Sequence, residues 1–136
     1  MAKNRSVLSF RANGREVQAD LHGYATETAL RFAEEVVEAA WERGAARVAL
    51  VHGAKHVASP AASDATGQGA TKWALRRALS RGAFNRWAEP PKSSAHARGG
   101  VSDRLVVALK PNPRPDPGAP LPDPPPHEYD RTRRRA

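Results

Sequence analysis

The stretch Glu16-Val17-Gln18-Ala19-Asp20-Leu21-His22-Gly23-Tyr24-Ala25-Thr26 decides the fold class. From Glu16 to Leu21 polar and apolar residues alternate at period two, as in a strand with one covered face. His22-Gly23-Tyr24 breaks the alternation, and beyond Thr26 the period changes. Leu30, Ala33, Val36, Val37, Ala40 and Trp41 recur at spacings of three and four and so share one stripe of a helix. Glu27, Glu34, Glu35, Glu38 and Glu42 lie off that stripe. The spacing predicts a helix over 26–43, with the Thr26 hydroxyl capping its first turn. Gly44 ends it, where glycine tolerates a left-handed backbone.

Upstream, Val7 to Phe10 is a short apolar run, so residues 1–16 read as an arm or an edge strand. Downstream, Arg47-Val48-Ala49-Leu50-Val51 is nearly all apolar and suits a central strand under a helix. It stops at His52-Gly53. Residues 54–69, rich in Ala, Ser and Gly with Pro60 among them, predict a long loop. A second helix is predicted over about 70–81, with Trp73, Ala74, Leu75, Ala78 and Leu79 facing inward and Gly82 as its stop. Ala83 to Trp87 predicts a short edge strand, 90–100 a loop, and Arg104 to Leu109 the last strand.

This order predicts an α/β two-layer sandwich over 17–110. Its sheet would be mostly parallel and four-stranded, with two helices on a β-α-β-α-β core, because parallel neighbours need a crossover. From Pro111 onward nine of the twelve prolines occur and apolar residues become scarce. Such composition predicts that 111–136 is an extended, disordered Pro/Arg-rich tail.

With 136 residues the chain has room for one compact domain. It has no cysteine, which excludes disulfides, thiolate metal sites and a Cys nucleophile. No apolar run approaches the roughly 20 residues of a membrane span, and Met1 to Arg5 is not followed by the apolar core of a secretory signal. The expectation is a soluble cytoplasmic protein with no membrane partner. The net charge of +8 is unevenly spread. Residues 1–46 carry six basic and seven acidic side chains, 47–110 carry eleven and three, and 111–136 carry five and four. The cationic excess therefore belongs to the second half of the predicted domain, where it would attract polyanions. A solvated basic surface is the alternative.

Ligands of parallel sheets gather at the carboxyl ends of strands, where Asp20-Leu21-His22-Gly23 and His52-Gly53 are predicted to lie. Asp20 and His22, two apart, would share a face, and His52 would end the neighbouring strand. A carboxylate beside an imidazole makes a general acid or base; alternatively, Asp20 only satisfies backbone amides and His22 only fills a turn. Gly53, Gly67 and Gly69 precede the second helix, an arrangement suited to phosphate at a helix N-terminus or to a permissive loop. Their spacing matches neither a Walker loop nor a dinucleotide fingerprint. Lys72, Arg76, Arg77 and Arg81 fall within about half of the helix surface and either track phosphates or face water. His56, His96 and His127 are given no role. The histidine and aspartate spacings fit no compact metal motif, so no metal ligand set is assigned.

Taken together these segments resemble the Smr (small MutS-related) domain family over about 17–110. The Leu-Asp-x-His-Gly motif of that family corresponds to Ala19-Asp20-Leu21-His22-Gly23, with Ala19 in place of leucine and Thr26 opening the helix. His-Gly-x-Gly corresponds to His52-Gly53-Ala54-Lys55, with Lys55 in place of glycine, and Leu-Arg to Leu75-Arg76. Gly99-Gly100 precedes the last apolar strand, as in the family. The resemblance implies a four-stranded sheet with two helices, binding of DNA or RNA, and in some members nicking of DNA or cleavage of RNA. It implies Asp20 and His22 as a catalytic pair, assisted by His52. Gly23, Gly53, Lys55, Gly67, Gly69, Lys72, Arg76 and Arg77 would contact nucleic acid. On RNA no cofactor is needed; on DNA, where water is the nucleophile, a divalent metal held partly by Asp20 is possible. The alternatives are a non-catalytic binding module and an adaptor that engages a protein partner through the Pro-rich tail.

Overall fold

A computed structural model describes residues 7–52, 68–89 and 104–126. The alternation in the opening stretch becomes strand β2 (Glu16–Asp20), in which Val17 and Ala19 are buried and Glu16, Gln18 and Asp20 are half-exposed. A four-residue turn connects it to β1 (Leu8–Arg11), the edge strand. Helix α1 (Thr26–Arg43) follows β2 and leads to β3 (Arg47–Val51); after it come α2 (Gln68–Ser80) and β4 (Arg104–Ala108). The sheet order is β1-β2-β3-β4. Val17, Ala19, Val48, Leu50, Leu105 and Val107 line the face that packs against the helices, where they meet Phe32, Ala33, Val36, Val37, Ala40, Leu75 and Leu79. The opposite face carries Gln18, Asp20 and Val106 at half or full exposure around the buried Ala49, so among the described residues the helices cover the sheet on one side.

The sheet is mixed rather than mostly parallel. Only β2 and β3 run parallel, joined by the α1 crossover. The β1–β2 connection is too short for a crossover, so that pair is antiparallel. β4 is also antiparallel to β3. After α2 the backbone N–H of Glu89 reaches the Ala108 carbonyl, whereas Arg104 lies opposite Val51. The chain thus enters β4 from the end of the sheet remote from Glu89. A helix-then-strand order gives a parallel pair only when no such return intervenes.

Three local expectations also change. Thr26 is not the N-cap of α1: Ala25, whose side chain has no oxygen to offer, holds that place. The Thr26 hydroxyl instead shares a 3.1 Å hydrogen bond with that of Thr71 in α2. Ala83 to Trp87 is a run of turns, in which Phe84 and Trp87 are buried, and only Ala88 bridges to Leu109. Helix α2 starts at Gln68, two residues before its predicted start, and Gly82, at φ 89°, follows its last turn as expected.

The largest departure concerns residues 111–126, expected to be part of a disordered tail. They form an extended strap along α1. The last carbonyls of a helix lack partners within it, and here the strap supplies some. The Asn112 amide donates to the Trp41 carbonyl (2.8 Å), and the Asp116 backbone N–H donates to that of Glu42 (2.8 Å). The Arg43 guanidinium returns a hydrogen bond to the Ala119 carbonyl, and Ala119 itself is buried. At the far end of α1 the Tyr24 hydroxyl donates to the Pro125 carbonyl at 2.6 Å. Composition counts apolar side chains and so misses order that rests on the unfilled carbonyls of a neighbouring helix. Residues 127–136 lie outside the described residues.

Candidate functional site

The corner between β2 and α1 is built by three backbone devices. Parallel pairing continues one step beyond β2, with the Leu21 N–H donating to the Val51 carbonyl at 2.7 Å. Leu21 is buried, so the chain is held down at that point. The Tyr24 N–H then closes a turn onto the Leu21 carbonyl at 3.3 Å, with Gly23 third in the turn at φ 90°. A positive φ at that place is the mark of a turn that favours glycine. Asp20 Oδ1 accepts the His22 backbone N–H at 3.1 Å. The carboxylate therefore braces the turn and leaves the His22 side chain at the exposed surface.

Asp20 also bears on Tyr24, a residue to which sequence reasoning gave no role. Burial, and secondarily the Asp20 carboxylate, push the Tyr24 phenol above its ordinary value of 10.0. The sequence signal for Tyr24 was slight, since an aromatic residue two positions beyond His22 reads equally as a core anchor. It is that as well: its ring lies 6.3 Å from the ring of Phe32, tilted by 56°.

His52 follows β3 and is only 3 % exposed. Alternation along β3 puts it on the side of Leu50, under the helices, whereas Asp20 pairs with Val51 on the uncovered side. The expected approach of His52 to the Asp20–His22 pair is therefore reduced to backbone adjacency. Gly53, Lys55 and Gly67 lie outside the described residues; Gly69 lies in the first turn of α2. The Thr26–Thr71 hydrogen bond brings the N-terminal turns of α1 and α2 together, so two positive helix ends converge beside the corner.

The four cations expected on the second helix separate, and Arg81 falls just beyond the end of α2. Lys72 is 1 % exposed, and burial, then the Arg76 charge, lower its pKa. It is thus no open phosphate contact. Arg76 is half-buried, while Arg77 and Arg81 are exposed. The Trp73 ring has the Lys72 ammonium 5.4 Å and the Arg76 guanidinium 5.3 Å from its centroid, within cation–π range. Trp73 was expected simply as an inner-face residue; its spacing of one and three from two cations was the available sign of this role. Its buried indole nitrogen has no hydrogen-bond acceptor among the described residues. On the uncovered face, Arg104 donates to the Gln18 side chain at 3.1 Å, a cation to which the sequence motifs did not point.

Among the described residues no group of three or more His, Asp or Glu side chains is placed to hold a metal ion, and Asp20 alone does not make such a site. No helix among the described residues is long and apolar enough to cross a membrane. Comparison of the chain with family models, with curated proteins and with solved structures finds no match.

Proposed function

We propose that this chain is a nucleic-acid-binding domain of the Smr type that holds a phosphate backbone against α2 and the Asp20–Tyr24 corner. One observation carries the reading: Arg76 and Arg77 on α2, with Arg81 just beyond its end, follow a helix whose first turn meets that of α1 at this corner. Guanidinium groups grip phosphate oxygens through a planar fork of donors, and converging helix N-termini add positive potential. The central β2–β3 pair supplies the rigid support beside them. Binding is measured by fluorescence polarisation with a labelled single-stranded RNA and a labelled DNA duplex across a salt series. Neutralising Arg76 and Arg77 together (Arg76→Gln with Arg77→Gln) should reduce the slope of log K against log salt by about 1.4 to 1.8, given roughly 0.7 to 0.9 per phosphate contact. Lys72→Met should change that slope by much less, because Lys72 is shut off from solvent. Affinity that is insensitive to salt, or unmoved by the arginine changes, refutes the proposal.

A second reading, endonuclease activity, is favoured by the placing of Asp20 and His22 on one exposed turn. On RNA the His22 imidazole would take the proton of a 2′-hydroxyl as its oxygen attacks phosphorus, while the P–O5′ bond breaks and the 5′-oxygen leaves with a proton taken from solvent water. Asp20 would contribute by fixing the turn through the His22 amide. Purified protein is incubated with labelled RNA and with supercoiled plasmid, with and without chelator. Cleavage that is the same for wild type, His22→Ala and Asp20→Ala sinks this reading while leaving the binding proposal intact. The adaptor alternative has less support, because the described part of the Pro-rich segment directs its backbone and side-chain groups onto α1.

A further inference from the structure

At the end of the domain remote from the Asp20–Tyr24 corner, the β1–β2 turn, the end of α1 and the strap enclose a cavity of about 360 Å³. β1 contributes Phe10, and the turn contributes Asn13, Gly14 and Arg15. Arg43 and Gly44 enter from α1, and Pro117 from the strap. Three consecutive residues at positive φ, Ala12, Asn13 and Gly14, bend the turn. Its exit is anchored where the Arg15 carbonyl accepts the Ala46 N–H at 2.7 Å. Small-molecule pockets run from about 300 to 1,000 Å³, so this cavity has room for one compact ligand.

Among the described residues two guanidinium groups line the cavity and no carboxylate does. Arg43 is held in place, its guanidinium 4.9 Å from the centroid of the Phe10 ring and donating to the carbonyl of the buried Ala119. A guanidinium has further donors in the same plane, so this contact leaves it able to grip an anion. Arg15 is exposed and forms no ion pair among the described residues. Both arginines belong to residues 1–46, where acidic side chains outnumber basic ones, so the fold rather than local composition brings them together. The carboxylates close by in the chain are engaged or turned away. Glu16 holds Arg47 at 2.6 Å, Asp116 accepts the Gly118 N–H at 3.0 Å, and the exposed Glu42 does not line the cavity. A helix C-terminus ordinarily repels anions. Here the Asn112 amide and the Asp116 N–H fill the Trp41 and Glu42 carbonyls, which offsets that repulsion.

Phe10 adds the second requirement. It is 47 % exposed, a large apolar ring left open beside the two cations. A ligand that answers the whole cavity carries a phosphate for the guanidinium forks and a flat ring for Phe10. A dianionic phosphate matches two cations where a carboxylate matches one. We propose that this cavity binds a nucleoside 5′-monophosphate unit, with its phosphate between Arg15 and Arg43 and its base against Phe10. A free mononucleotide and the phosphorylated 5′ end of a strand share that chemistry. The site is independent of the α2 reading, because it stands at the other end of the eighteen-residue α1, about 27 Å away.

The test is isothermal titration calorimetry of the intact chain with adenosine 5′-monophosphate, a 5′-phosphorylated RNA trinucleotide, its 5′-hydroxyl counterpart, adenosine and inorganic phosphate. The tighter of the two phosphorylated nucleotide ligands identifies the source. It should bind at least about 10-fold more tightly than adenosine, inorganic phosphate or the 5′-hydroxyl trinucleotide. Arg15→Gln, at an exposed position, should weaken that binding about 10-fold. Phe10→Leu should weaken it about 5- to 100-fold through lost stacking, while binding of inorganic phosphate stays the same. Arg76→Gln with Arg77→Gln should leave it unchanged. The inference is overturned if neither phosphorylated ligand binds more tightly than inorganic phosphate, or if Arg15→Gln and Phe10→Leu have no effect. It is equally overturned if the α2 double variant abolishes the binding, which would place the ligand on that helix. Failure of the α2 reading would show in its own salt series and leave this site standing.

Discussion

Replacing Gly44 with alanine measures how firmly the strap is seated, and the structure separates its cost into two parts. Gly44 follows α1 at φ 85°, and its N–H donates to the Trp41 carbonyl at 3.0 Å. An L side chain in that left-handed conformation costs about 1 to 2 kcal/mol. A Cβ at Gly44 would also stand 2.6 Å from Pro115 Cβ, a clash that must be relieved by moving the strap. Overpacking of this kind costs about 1 to 3 kcal/mol, so the full loss is roughly 2 to 5 kcal/mol. Gly14 supplies the control. It has almost the same φ, 84°, and a Cβ there would meet nothing within 4 Å, so Gly14→Ala incurs only the conformational part. Gly82→Ala should resemble Gly14→Ala, because the nearest atom, 2.8 Å away, is the Asn85 side-chain amide and can swing aside. Pro115→Gly removes the opposing ring atoms. The double variant should therefore recover the packing part, a coupling of about 1 to 3 kcal/mol in a double-mutant cycle. Urea unfolding followed by tryptophan fluorescence gives each value. If Gly44→Ala costs no more than Gly14→Ala and shows no coupling to Pro115, the strap is not seated as described.

Three further outcomes are expected. Ala12 sits at φ 55° in the β1–β2 turn, so Ala12→Gly should stabilise the fold by about 0.5 to 1 kcal/mol, the relieved strain exceeding the extra chain entropy; a loss of stability in urea would contradict this. Valine at Thr26 and at Thr71, singly and together, should reveal a coupling of about 0.5 to 1.5 kcal/mol, and strictly additive losses would show that their hydrogen bond contributes nothing. Because the folded state raises the Tyr24 pKa, the folded chain keeps a proton that the unfolded chain releases. That contribution to stability is whole below pH 10.0 and is lost as pH rises through the raised folded value. Ultraviolet difference titration of wild type against Tyr24→Phe should place the phenolate midpoint above 10.0, and a midpoint at or below it counts against the buried, strap-bound phenol.

Regular elements announced themselves where the period of apolar residues was unbroken. The alternation of Glu16 to Leu21 and the stripe from Leu30 to Trp41 located β2 and α1 because burial on one face dictates both patterns. Pairing direction was not legible in the same way. It depends on which end of the sheet the chain returns to after Glu89, and no side-chain period records that. The Thr26 hydroxyl could be read as a cap from sequence, yet its partner is Thr71, forty-five residues away. Lys72 shows residue type misleading where spacing did not. It lies three and seven residues before Leu75 and Leu79, on their stripe, and is buried with them. The Asp20–His22 corner was legible as a turn at a strand end, but alternation along β3 turns His52 to the other side of the sheet from Asp20. Tyr24 became visible only through Pro125, one hundred and one residues away.

The strap also orders events in time. A chain synthesised from its N-terminus presents α1 long before the residues that complete its last turn. The Glu42 carbonyl awaits the Asp116 N–H, and the Tyr24 hydroxyl awaits Pro125, 101 positions later. Domains fold as their residues emerge, at about 5 to 20 residues per second, so α1 and the β2–β3 pair would stand for several seconds with that turn still open to water. Attachment of the strap would be a late event of biosynthesis, and a chain arrested before Asn112 would carry the Asp20–His22 turn on a helix with a frayed far end.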